Sequence, residues 1–87
     1  MKIVRHRQFK KNYKSGISTN LKLVERYAQR LRTFVKNPNL DILHDHSLIG
    51  RKKGYRAFSV TGDIRVVYKK EGNVITFYDI GSHNQVY

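Results

Sequence analysis

The spacing of apolar residues changes once along this chain, and that change limits the fold more than any other feature. Leu21, Val24, Tyr27, Ala28, Leu31, Phe34 and Val35 recur at the 3.6-residue period of one helix face. Lys22, Arg26, Arg30 and Lys36 lie off that stripe and are expected to point outward. Upstream, Phe9 and Tyr13 are four apart and predict an earlier helix between His6 and Lys14, closed by Gly16 in the left-handed conformation. Ser18 or Thr19 is expected to cap the second helix, and Pro38 follows its end. Beyond residue 50 the helical period is lost. Tyr55–Val60, Ile64–Lys69 and Val74–Ile80 are rich in β-branched and aromatic residues and read as strands. Thr61-Gly62-Asp63 and Lys70-Glu71-Gly72-Asn73 read as turns whose glycines can take positive φ. Ile3 and Val4 suggest a short leading strand, and residues 39–54 a loop anchored by Leu40, Leu43 and Leu48.

The expected fold is therefore α+β: two N-terminal helices, joined as an antiparallel hairpin, packed on one face of a small antiparallel sheet whose last three strands form a meander. With 87 residues, no repeat and no Gly/Ser linker, residues 1–87 are read as a single domain. The chain has no cysteine, which excludes disulfides and thiolate metal sites. No apolar run approaches the ~18 residues needed to cross a bilayer. The opening MKIVRHRQFKK carries charge where a signal peptide needs an apolar stretch, so the expectation is a soluble cytoplasmic domain away from membranes.

Charge narrows the function. The net charge is +12, and residues 1–36 alone hold eleven basic side chains against the single acid Glu25. A field of that strength concentrates polyanions, and a pI near 10.3 is the footprint of a nucleic-acid binder or of a protein neutralised by an acidic partner. Composition does not choose between these.

The second half holds a polar, cationic set: His46, Arg51, Lys52, Lys53, Arg56, Asp63, Arg65, His83 and the terminal Tyr87. RNA can be cleaved with such groups and no cofactor. One group takes the 2′-hydroxyl proton, cations stabilise the phosphorane, and another group protonates the leaving 5′-oxygen. Histidine exchanges protons near neutral pH, Arg and Lys stabilise developing charge, and tyrosine stacks on unpaired bases. Each residue also has a plainer role. Asp63 suits a tight turn, Arg65 a solvent-side strand position, and Arg51-Lys52-Lys53 a solvated loop. His44, Asp45, His46 and His83 could be imagined around a metal ion, but they lack a recognisable ligand spacing.

Four segments in order, DHSLIG, KGYR, GDIRVVY and IGSHNQVY, resemble the RelE/ParE superfamily of toxins from type II toxin–antitoxin systems, most closely its YafQ-like mRNA interferases. The resemblance spans the chain and implies a RelE-like βααβββ fold. It implies a toxin that enters the ribosomal A site and cuts mRNA without a metal or other cofactor, held inactive by a cognate acidic antitoxin. Its partners would be ribosomal RNA and mRNA. Carried across by motif, His46, Asp63, Arg65, His83 and Tyr87 correspond to catalytic positions, with His83 as the proton donor. Arg51, Lys52, Lys53 and Arg56 would then hold RNA phosphates. The chain departs from the pattern at Ser59, where YafQ has histidine, and at Asp79, where it has arginine. A ParE-like inhibitor of DNA gyrase and a non-catalytic RNA-binding module are the alternatives.

Overall fold

The computed structural model describes residues 1–87. Strand β1 (Lys2–Arg5) leads into helices α1 (Arg7–Gly16) and α2 (Leu21–Lys36). Strands β2 (His46–Ser47), β3 (Arg56–Ser59), β4 (Ile64–Glu71) and β5 (Val74–Ser82) follow, and a four-residue helix α3 (His83–Val86) ends the chain. The helical hairpin packed on a sheet is thus the α+β architecture expected. No helix is long and apolar enough to cross a membrane.

The sheet has five strands in the order β1-β5-β4-β3-β2, and it is mixed where an antiparallel sheet was expected. β1 pairs parallel with β5, matching Ile3 to Ile75 and Arg5 to Phe77, while every other pairing is antiparallel. Side chains alternate identically in both kinds of pair, so residue pattern carries no mark of strand direction. β1 stops at Arg5, level with Phe77, and the His6 N–H still reaches the Phe77 carbonyl at 2.8 Å. From there α1 takes the place of a strand beside β5, where its Gln8 and Asn12 hydrogen-bond to Asp79.

One sheet face meets the helices. Phe9, Ile17, Tyr27 and Phe34 from the helical half interlock with Phe58, Val66, Tyr68, Ile75, Phe77 and Ile80 from the strands. Phe34 stacks on Phe58 with centroids 4.6 Å apart and meets Tyr68 edge-on at 5.0 Å. The register slips between Val67 and Tyr68, which leaves Tyr78 as an extra residue in β5. That bulge lets Phe77 and Ile80, three apart, both face the core.

Local details revise several expectations. Gly16 ends α1 without left-handed geometry; the Tyr13 carbonyl accepts from the Ile17 and Ser18 N–H groups, and buried Ile17 anchors the exit. Asn20, in place of Ser18 or Thr19, caps α2 by accepting from the Leu23 N–H at 3.3 Å. Gly62 has no positive φ because the Thr61 hydroxyl closes that turn, accepting from the Asp63 and Ile64 N–H groups. Gly72 is left-handed at φ 61°, as its turn requires. Leu43 is fully buried and Leu48 half-buried, whereas Leu40 is exposed. Arg30 was expected to point outward but is buried on the apolar stripe between Tyr27 and Phe34. Its Nη1 donates to the carbonyls of Ile42 at 2.9 Å and Ser59 at 3.1 Å. Burial, and then Arg26, lowers its pKa.

Candidate active site

Sheet register sets which side chains share the face turned away from the helical hairpin. His46, Ala57, Val67 and Asp79 lie in one cross-strand row, and Ser59, Arg65 and Gly81 in another two residues along. Ala57 and Val67 on this face form a small apolar cluster with Val86, flanked by Leu48 and Tyr55. The tail expected after the last strand is therefore helix α3, docked on that cluster. Gly81 permits the docking: a Cβ there would sit 2.8 Å from Gln85 Oε1. The Ser82 N–H donates to that same Oε1 at 2.7 Å, fixing the start of the helix.

Docking α3 brings the two distant histidines onto one aromatic ring. Tyr87 meets His83 edge-on with centroids 4.4 Å apart, and His46 edge-on at 6.2 Å. His46, His83 and Tyr87 line a cleft of about 390 Å³ with Leu48, Ile49 and Lys52. His46 Nδ1 lies 2.8 Å from the His44 carbonyl oxygen, which orients its ring. With the carbonyl as acceptor, Nδ1 carries the proton and Nε2 of the neutral ring is free to take one. Burial raises the Tyr87 pKa while Arg65 pulls it down, and the group stays a phenol at neutral pH.

Arg65 is held in place. It donates through Nη1 to the Ser59 hydroxyl and through Nη2 to the Gly62 carbonyl at 3.1 Å, while its buried Nε has no partner. Asp63 Oδ1 accepts from the main-chain N–H of His83 at 3.3 Å. That contact reaches the histidine's backbone, so Asp63 sets where His83 sits.

The remaining predicted residues separate. Lys52 stands on the cleft wall, and Arg51 beside it lines an adjoining hollow. Lys53 is exposed and lines neither. Arg56 is not brought to the site. Its row runs Ser47, Arg56, Tyr68, Phe77 on the helix-facing side, and its guanidinium pairs with Asp45 at 3.3 Å and donates to the Ser47 hydroxyl at 2.8 Å. Asp45 also accepts from the Tyr68 hydroxyl at 2.7 Å. No three His, Asp or Glu side chains gather around a metal position. Tyr55, Tyr78 and Asp79 also border this region and were not expected there. The bulge that turns Tyr78 and Asp79 toward it leaves no trace in the alternation of β5.

The family model for YafQ, a bacterial toxin of type II toxin–antitoxin systems, matches residues 1–87. The chain belongs to the YafQ family. Its fold is similar to the crystal structure of Escherichia coli YafQ, with a TM-score of 0.84 at 24% identity over 98% of this chain and 96% of that one. It is also similar to a chain of the E. coli DinJ–YafQ toxin–antitoxin complex, with a TM-score of 0.74 at 25% identity, covering 98% of this chain and 94% of that one. A chain of the heterotetrameric YoeB–YefM toxin–antitoxin complex of Staphylococcus aureus gives 0.75 at 23% identity, covering 95% and 97%. No curated protein matches the chain by sequence. Membership in the YafQ family agrees with the resemblance carried by the DHSLIG, KGYR, GDIRVVY and IGSHNQVY segments.

Proposed function

We propose that this YafQ-family toxin is a ribosome-dependent endoribonuclease that cuts mRNA in the A site. The observation that carries the reading is the convergence of His46 and His83 on Tyr87 over one cleft, with Arg65 and His46 lining one hollow on the same sheet face. In the proposed reaction the 2′-oxygen attacks the adjacent phosphorus as its proton passes to His46. Arg65 stabilises the phosphorane charge. The bond to the 5′-oxygen breaks as His83 protonates that oxygen, leaving a 2′,3′-cyclic phosphate. Asp63 positions His83, Tyr87 packs against a base, and Arg51, Lys52 and Lys53 hold RNA phosphates. No step requires a metal or cofactor.

A cognate antitoxin with an acidic contact segment would neutralise the +12 charge and silence the toxin. The DinJ–YafQ and YoeB–YefM complexes support such a partner. Primer extension on cellular mRNA after induced expression tests the function. Cuts in phase with codons are expected. Intact mRNA accompanied by DNA damage would replace the nuclease with a gyrase inhibitor.

A further inference from the structure

A second hollow of about 520 Å³ adjoins the cleft. Lys52 and Tyr87 line both and form the wall between them. The walls are aromatic: Tyr55 meets Tyr78 edge to face at 5.1 Å, and His6 lies tilted against Tyr78, also at 5.1 Å. Asp79 lies at its floor, 4% exposed and without a cation, since the one ion pair of the molecule joins Arg56 to Asp45. Its Oδ1 accepts from Asn12 Nδ2 at 2.7 Å and from the Ile80 N–H at 2.8 Å, while Oδ2 accepts only from Gln8 Nε2 at 2.8 Å. A carboxyl oxygen of this kind has about two acceptor positions, so Oδ2 retains one. Gln8 has turned its nitrogen toward Asp79, which leaves its Oε1 as a second acceptor beside the same hollow.

Fastening α1 to β5 would account for the two hydrogen bonds from Gln8 and Asn12, and the third, from the Ile80 N–H, lies within β5. Such fastening accounts for neither the aromatic walls nor the acceptor left over. Two neighbouring acceptors in a hollow also lined by tyrosine rings, with Arg51 and Lys52 along the lining, suit a flat heterocycle with adjacent N–H donors on a phosphate chain. We infer that this hollow is a nucleobase subsite flanking the cleavage cleft and selective for guanine. Among the four RNA bases, guanine alone carries two adjacent donors, N1–H and N2–H, on its Watson–Crick edge. Adenine, cytosine and uracil each set an acceptor against one member of this pair, so one hydrogen bond is lost and two acceptors repel. The subsite's place beside a cut phosphate rests on the nuclease reading; its base preference does not.

The test uses 2′-O-methylated trinucleotides U-N-U, where N is each of the four bases, because they cannot be cut by 2′-oxygen attack. Binding is followed by NMR through the Tyr55 and Tyr78 ring signals, with buried Phe34 as the internal control. The guanine trinucleotide should bind about tenfold more tightly than the others. Asp79→Asn should bring the four affinities together, while Lys52→Ala should weaken all four alike. Should Asp79→Asn unfold the protein, Gln8→Ala at an exposed position carries the test and should reduce the guanine preference. Equal affinities in the wild-type protein, or ring shifts absent from Tyr55 and Tyr78, would overturn the subsite. A guanine preference in a protein that leaves cellular mRNA uncut would overturn the nuclease and keep the subsite; the reverse pattern would do the opposite.

Discussion

The two faces of the sheet are built from different materials. The face under the helical hairpin carries six buried aromatic side chains, Phe9, Tyr27, Phe34, Phe58, Tyr68 and Phe77, packed ring against ring and almost wholly out of water. The opposite face has an apolar cluster of only Ala57, Val67 and Val86, with Leu48 and Tyr55 at the margin, beside the buried polar residues Ser59 and Asp79, and gives its remaining surface to His46, Arg65, His83 and Tyr87. Apolar burial dominates folding energy, so the first face supplies most of the stability. The second face can carry exposed titratable groups because little of the fold depends on it. Substitutions on the two faces should therefore fail in different ways, one in unfolding and the other in catalysis.

The largest effect is expected on the open face. His83→Gln removes the proposed proton donor and should slow single-turnover cleavage on the ribosome by about 10²–10⁴-fold. His83 is exposed, so the thermal midpoint should hold. A wild-type rate in this variant would move the acid role to His46. Deleting residues 83–87 is a poorer experiment, because Val86 covers Ala57 and Val67 and its loss would mix the two effects.

On the helix-facing side, Phe34→Ala should cost about 3–5 kcal/mol of stability, the usual penalty for emptying a buried aromatic site. A domain of this size has little more than that to lose, so the variant should melt near ambient temperature by circular dichroism. Cleavage per folded molecule, measured in the cold, should stay close to wild type. A folded variant with a lost rate would mean that the faces are coupled through the strands.

A smaller effect distinguishes the faces by pH. The Tyr68 phenol on the helix-facing side is pushed well above its ordinary value of 10.0 by burial first, then by the hydrogen bond and charge of Asp45. The folded protein keeps that proton at a pH where the unfolded chain has released it, so stability falls as pH rises beyond about 10. Urea titrations at pH 8 and pH 11 should show this loss, and Tyr68→Phe should flatten it at a cost of about 1–3 kcal/mol at neutral pH. An unchanged alkaline slope in Tyr68→Phe would assign the loss to other groups.

The same contrast explains what could be read before the structure. Face one was legible because a helical stripe and β-branched strands follow directly from apolar spacing: Tyr27, Leu31 and Phe34 declare one side, Val66 and Tyr68 another. Arg30 escaped that reading because its partners are main-chain carbonyls of Ile42 and Ser59, which no side-chain pattern records. The direction of β1 and the bulge at Tyr78 escaped for a related reason, since neither alters which residue types are present. On the open face, the types of His46, Arg65, His83 and Tyr87 suggested chemistry, but their meeting depends on α3, whose docking turns on Gly81 and Val86. Arg56 lies on the other face because one step along a strand reverses the face, and Arg56 stands one step from Ala57.

Charge gives the smallest predicted effect and the sharpest test of the division between faces. Lys52 and Arg56 are both cations in the same basic stretch, but Lys52 lines the cleft while Arg56 is tied to Asp45 on the opposite side. Each phosphate neutralised on single-stranded RNA contributes about 0.7 to the slope of log affinity against log salt. Lys52→Ala should therefore lower that slope by roughly this one contact, with little change in stability, in binding titrations over a series of salt concentrations. Arg56→Ala should leave the slope alone. It leaves the Asp45 carboxylate, whose side chain is only 11% exposed, without its cation and with the Tyr68 hydroxyl as its remaining partner, and so should appear in thermal unfolding instead. A slope that falls equally in both variants would mean that RNA wraps the sheet edge and touches both faces. The polyanion would then be reading total charge, and the separation of a folding face from a working face would not extend to binding.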